Sequence, residues 1–214
     1  MIIKKRLLLG VFAIMCGCLC AVGQVKLDSA GRDANYVKSI TERSIKIVDG
    51  LNINDGNVRN NVLNIICNRY FKLNDIYDKN KDRNAIDAEL YKHHFEFAAD
   101  LANYVNDAQV EAIKDGMTYG VVPKTYKAHL EMIPGLKENE KLQILNWLKE
   151  AREFAIDASD SKSKHAWFGK YKGRIKTVDD DAIRLAMKQD KASFRKVAKE
   201  LGVSLSTVQR AMKE

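Results

Sequence analysis

Proline, cysteine and regular alternation are what this chain has least of. Two prolines in 214 residues exclude proline-rich linkers and leave long stretches free of the residue that breaks helices. Three of the four cysteines, Cys16, Cys18 and Cys20, fall within the first twenty residues. That leaves Cys67, and a single thiol closes no internal bridge, so a disulfide scaffold is excluded. Its setting, Leu63-Asn64-Ile65-Ile66, is apolar and points to a buried, inert thiol. No Cys/His spacing suggests a zinc site, and no nucleophile elbow, Walker loop or pair of catalytic carboxylates stands out. No cofactor and no metal are therefore expected. Few stretches alternate apolar and polar residues at period two, so strands have little to build on.

What is present is a helix-forming chain with enough apolar content, 46%, for a real core. The expected class is all-α: an antiparallel helical bundle with a C-terminal three-helix helix-turn-helix module. A net charge of +8 and a pI near 9.2 suit an anionic partner such as nucleic acid, acidic polysaccharide or membrane. Much of that excess sits at the two ends, so charge says little about the middle.

The N-terminus reads as an export signal. Lys4, Lys5 and Arg6 precede an uncharged apolar run from Leu7 to Val22, and Ala21-Val22-Gly23 supplies small residues for cleavage before Gln24. A membrane anchor is the weaker reading because the run falls short of the roughly 20 residues a bilayer core requires. A lipoprotein is weaker still, because none of the three cysteines has Leu three residues before it with small residues between. The expected organisation is a signal peptide over 1–23, a helical domain over 24–172 and a helix-turn-helix over 173–214. The expected location is periplasmic or extracellular, with no integral membrane span after cleavage.

Helical periodicity marks Tyr36, Ile40, Ile47, Val48 and Leu51 as one face of a first helix. Asn54 or Asp55 caps a second, carrying Val58, Val62, Ile65, Ile66, Arg69, Tyr70, Leu73 and Ile76. A third spans about 85–105, with Ile86, Leu90, Phe97, Leu101 and Tyr104 inward. Asn106 or Asp107 opens a fourth. Val121-Val122-Pro123 reads as an extended link before a short helix from Tyr126 to Met132, and Pro134-Gly135 as a turn. A long helix over about 137–158 is expected to bury Leu142, Leu145, Leu148, Ala151, Phe154, Ala155 and Ala158. Another starts near Lys164.

Two places in this middle carry candidate chemistry. Trp167 and Tyr171 lie at i and i+4 on one helix face, flanked by His165, Lys170 and Arg174. Rings that stack on a sugar and cations that hold hydroxyls or a uronic carboxylate make a saccharide site. The alternative is that the rings pack on the long helix. Asp115-Gly116-Met117-Thr118-Tyr119-Gly120 forms a tight turn, where Asp115, Tyr119 and Lys124 can bind a polar ligand or act in acid–base work. The alternative there is a structural turn. His93 and His94 diverge by about 100° as helix neighbours and do not readily share one ion.

The phrases DGMTYGVVPKTYKAHLEMIPGL (Asp115–Leu136) and WLKEAREFAIDASDSKSKHAWFGKYKGRI (Trp147–Ile175) resemble a family of secreted Bacteroidetes proteins, domain of unknown function 3826. The resemblance covers about Ala34 to Ile175. It implies an exported protein that binds sugar, with no assigned reaction.

In the tail, Asp179-Asp180-Asp181 opens one helix, Ser193 caps Phe194–Leu201, and Gly202-Val203-Ser204 turns into a last helix ending at Met212. Val197, Leu201, Val203 and Val208 lock the pair across the turn, with Ala198 at the crossing. SFRKVAKELGVSLSTVQRAMK resembles the DNA-binding domain of serine recombinases. That resemblance places Ser204, Ser206, Thr207, Gln209 and Arg210 against DNA, with Arg174 in a preceding minor-groove arm. Lys172-Gly173-Arg174-Ile175 fits both resemblances, so a fusion at this seam is an expectation. The leading functional reading is an exported, non-catalytic, carbohydrate-binding protein whose partner is an oligo- or polysaccharide. The others are DNA binding through the tail and a carbohydrate-active enzyme using Asp115, Tyr119 or His165.

Overall fold

The computed structural model describes residues 23–190 and 193–213, the side chains of 177–179 and 189–190 excepted. The predicted leader over 1–22 lies outside the described residues. Those described are all-helical: α1 (Ala34–Asp49), α2 (Gly56–Lys79), α3 (Arg83–Ala102), α4 (Asp107–Met117), α5 (Val121–Met132), α6 (Glu138–Ala155), α7 (Ser161–Asp190), α8 (Phe194–Leu201) and α9 (Leu205–Ala211).

Local chemistry sets most of the boundaries. Asp33, Asp55, Asp82, Asn106, Ser193 and Ser204 each accept a bond from a backbone N–H of the first turn that follows, a group the helix leaves without a partner. Asn106 and Gln109 cap one another reciprocally. Asp160 does the same service for α7, accepting from the Ser163 N–H at 2.8 Å.

Two apolar cores divide the molecule. One gathers α1, α2, the end of α3 and α4 around Val62, Ile66, Phe71, Leu101 and Ile113. The other gathers α5 to α9 around Ile144, Leu148, Ile175, Ile183, Val197 and Val208. A small cluster of Leu73, Ile76, Ile86 and Leu90 ties α2 to α3. Ile156, just past α6, is buried in the first core although α6 belongs to the second.

An extended segment precedes α1. Val25 N–H donates to Asn61 Oδ1, Asn64 Nδ2 to the Val25 carbonyl, Asn68 Nδ2 to the Lys26 carbonyl and Asp28 N–H to Asn68 Oδ1, each at 2.8 Å. Asn61, Asn64 and Asn68 share one face of α2, so their amides pair with main chain as a neighbouring strand would. Arg32 closes the strap on Asp75 at 2.8 Å, and Asp75 holds the guanidinium firmly protonated.

Three expectations need correction. Val121-Val122-Pro123 is the first turn of α5 rather than an extended link; a first-turn proline gives up an N–H that has no helical acceptor anyway. Leu142 and Phe154 are 57% and 46% exposed. On a wheel of 100° per residue they lie roughly 150° and 90° from the stripe of Ile144, Leu148, Ala151 and Ala155. Finally, no helix begins at Asp179: α7 runs unbroken for 30 residues through Lys172–Ile175 and the acidic run, about 45 Å of helix.

The tail is seated on the bundle. Val197, Leu201, Val208 and Ala211 lie in the same core as Val122, Ile133 and Leu136. The Pro134-Gly135 turn meets the Leu201-Gly202 turn so closely that a side chain on Gly135 would come within 3.2 Å of Leu201 Cα.

Candidate functional site

Where α6 ends, several charged side chains are buried together. Asp157, 8% exposed, forms an ion pair with Arg69 of α2 and meets His94 Nδ1 of α3 at 2.7 Å. Its carbonyl accepts from the Tyr77 hydroxyl at 3.0 Å. One turn earlier, buried Arg152 donates to Asp115 at 2.8 Å and Glu111 at 2.7 Å, both on α4. Lys114 bonds Glu153 at 2.8 Å. Lys164 donates its ammonium to the last carbonyls of α6, Ala155 at 3.1 Å and Ile156 at 3.3 Å, as a cation at a helix C-terminus should. Burial pushes the Lys164 pKa down to about 8, with Arg43 and Arg69 adding to the fall and Asp157 opposing it. These pairs clamp α2, α3 and α4 onto the end of α6 and the turn after it, and Lys164 ties α7 to the same end.

Against this floor lies a cleft of about 450 Å³, lined by Tyr77, Arg83, Asp87, Leu90, Tyr91, His94, Phe95, Glu150, Glu153, Phe154, Asp157, Ala158 and Trp167. Tyr91 and Phe95 stand 76% and 68% exposed on α3 and meet edge to face at 6.4 Å. Phe154 stacks on Trp167 at 4.7 Å. The indole is thus partly covered by Phe154, and Lys170 sits 3.5 Å over it. Four carboxylates line the cleft against one arginine and one histidine. Flat rings exposed beside hydrogen-bond acceptors suit a ligand with an apolar face and a hydroxyl rim.

The residues singled out from sequence divide between different places. Trp167 lines the cleft, and Lys170 lies over its ring. Tyr171 is buried, 6% exposed, within the core of α5 to α9, as its structural alternative required; burial, reinforced by Glu150, pushes its pKa up to about 12. Arg174 lies 5.0 Å over the Tyr171 ring and 4.0 Å from Glu150. His165 turns away from the cleft and stacks on Tyr119 at 5.5 Å, joining the two separately identified candidates. Asp115 is bound to Arg152. His93 and His94 diverge: His93 meets Lys72 and Glu96, and His94 meets Asp157.

Tyr119 occupies an unusual conformation. The Gly120 N–H bonds the Asp115 carbonyl at 2.8 Å and the Tyr119 N–H bonds the Gly116 carbonyl at 3.3 Å, the pattern of a helix closed by a left-handed residue. That residue is ordinarily Gly; here it is Tyr119, at φ +61°. A side chain there costs on the order of 1 kcal/mol.

Tyr91, Phe95, Asp157 and Arg69 were not identified as site residues from sequence. The signal for the first two was present: an aromatic i, i+4 pair lying about 110° and 150° from the inward stripe of α3. In the tail, Gly202 takes the left-handed conformation at φ +68°. Ser204 caps α9 and meets Ser206 at 2.8 Å and Thr207 at 2.7 Å, while Gln209 and Arg210 are exposed.

Residues 37–86 and 79–199 match the family described as protein of unknown function DUF3826. The chain belongs to this family. The DUF3826 match runs through Lys172–Ile175 and into α8, so the family's sequence pattern continues past the expected seam, as does α7. Among curated proteins no relative matches.

Proposed function

We propose that this DUF3826 protein is exported and binds a neutral saccharide, without transforming it, in the cleft between α3, α6 and α7. The observation that carries the reading is the convergence of exposed Tyr91, Phe95 and Phe154 with Trp167 in one cleft of about 450 Å³ beside carboxylates. Sugar rings stack on aromatic faces through their C–H surface while their hydroxyls donate to carboxylates. An acidic rim also repels uronic acids, so the ligand is neutral. The non-catalytic reading is supported by Glu153 and Asp157, the deepest carboxylates, which are committed to Lys114, Arg152, Arg69 and His94. Export rests on the Lys4–Gly23 leader pattern.

Affinity electrophoresis of the purified protein through gels containing neutral polysaccharides tests the reading. Tyr91→Ala and Phe154→Ala should each weaken binding at least tenfold, about 1.4 kcal/mol, with melting temperatures near that of the parent because both rings are exposed. Retention unchanged by both substitutions would sink it. Mass spectrometry of secreted material should find Gln24 as the first residue.

One observation favours a second activity. The left-handed Gly202 turn and the Ser204-capped α9 leave Ser206, Gln209 and Arg210 exposed on a helix-turn-helix geometry. Duplex binding that weakens with salt and with Arg210→Ala supports DNA recognition; no salt-sensitive binding removes it.

A further inference from the structure

The molecule carries a second pocket whose charge is opposite to that of the aromatic cleft. It has a volume of about 410 Å³ and is lined by Arg43 and Lys46 of α1, Tyr70 of α2, and Met117 and Tyr119 at the end of α4, over a floor including Ile47 and Leu51. None of its lining residues is acidic, and neither cation has a carboxylate partner among the described residues, whereas the cleft holds four carboxylates. Arg43 lies 5.7 Å over the Tyr70 ring, which sets its guanidinium, though exposed, against an aromatic wall. Burial raises the Tyr70 pKa to about 12, keeping its hydroxyl protonated.

The fourth wall is the strained one. A left-handed glycine closing α4 would be the relaxed choice, yet Tyr119 stands there, 42% exposed. His165 stacks on its ring, and Lys124 bonds its carbonyl at 2.9 Å. Strain that surrounding contacts hold in place concentrates at ligand sites. A concave surface with a paired guanidinium and ammonium, aromatic walls and an apolar floor selects an oxyanion.

We infer that Arg43, Lys46, Tyr70 and Tyr119 form a binding site for an oxyanion, a carboxylate or sulfate carried by an acidic sugar or present as the free ion. This site goes beyond the neutral-saccharide cleft and shares none of its lining residues.

Calorimetric titration of the full chain at constant ionic strength, with D-galacturonate, inorganic sulfate and D-galactose as separate probes, tests it. Galacturonate or sulfate should bind one to one, and D-galactose should give no saturable signal at this pocket. Binding of galacturonate alone assigns the site to an acidic sugar; binding of sulfate alone, or of both with mutual competition, assigns it to the oxyanion as such. Arg43→Gln and Lys46→Gln, both at exposed positions, should each weaken the anion at least tenfold. Tyr119→Gly should weaken it at least fivefold while the protein melts at the same or a higher temperature, separating loss of the ring from loss of the fold. Phe154→Ala in the cleft should leave anion binding unchanged. The inference is overturned if neither anion binds, or if Arg43→Gln and Lys46→Gln bind as the parent does.

Discussion

Single residues here are placed against their ordinary preferences, and Lys164 is the clearest case. Its ammonium is buried at 5% exposure and bonded to two carbonyls, so its folded pKa of about 8 lies below the unfolded value near 10.4. Below pH 8 both states carry the proton, and the folded state bears the burial cost. Between pH 8 and 10.5 the unfolded chain holds a proton that the folded one has released, so stability rises with pH across that window. Two to three pH units correspond to about 3 kcal/mol. Urea titrations from pH 7 to 10.5 should show this rise, and Lys164→Met should flatten it. A parent protein with no such slope would contradict the burial of the charge.

Elements were legible in the sequence wherever the determinant is local. Asp55, Asn106, Ser193 and Ser204 cap the helices their side chains announced, and Gly202 turns as its lack of a Cβ allows. The start of α5 was not legible, because Pro123 reads as a breaker unless its position in the first turn is already known. Nor was the continuity of α7, since Asp179-Asp180-Asp181 has the charge of a helix start and only packing decides that it is mid-helix. The seating of α8 and α9 likewise rests on a contact distant in sequence, the Pro134-Gly135 turn against Leu201-Gly202. Gly202→Ala combines a left-handed backbone with a Cβ that would lie 2.8 Å from Pro134 Cγ. It should cost about 2 kcal/mol and expose the tail to limited proteolysis before the bundle. Cleavage no faster than in the parent would show that the seating is unnecessary.

At the scale of the whole molecule, the two apolar cores are joined by charge. Arg69–Asp157–His94 and Arg152–Asp115–Glu111 lie where α2, α3 and α4 meet α6. Removing one member strands a buried partner. Asp157→Ala should therefore cost about 3–5 kcal/mol, seen as a lower urea midpoint. Asp157→Asn should cost less because it keeps an acceptor for His94 or Arg69. Equal losses for the two variants would mean that side-chain volume, rather than the stranded guanidinium, sets the effect. The candidate cleft belongs to this scale too. Tyr91 and Phe95 come from α3, Phe154 from α6 and Trp167 from α7, and no local pattern announces that three helices bring them to one wall. Trp167 and Lys170 stay together because they share a helix face, while the winding of that helix carries His165, their neighbour in sequence, to Tyr119.

The asparagine row on α2 has a consequence for mutational tolerance. It grips the strap through peptide groups, so the row is indifferent to which side chains the strap bears at Val25, Lys26 and Asp28. Exchanges at Lys26 should be absorbed with little effect, whereas Val25 also packs on the first core and Asp28 also pairs with Arg32. Proline is excluded at Val25 and Asp28, where the amide hydrogen is in use. The opposite holds for Asn61, Asn64 and Asn68, whose carboxamides have no substitute of equal reach and equal donor–acceptor symmetry. Two surfaces in contact thus face very unequal freedom to vary.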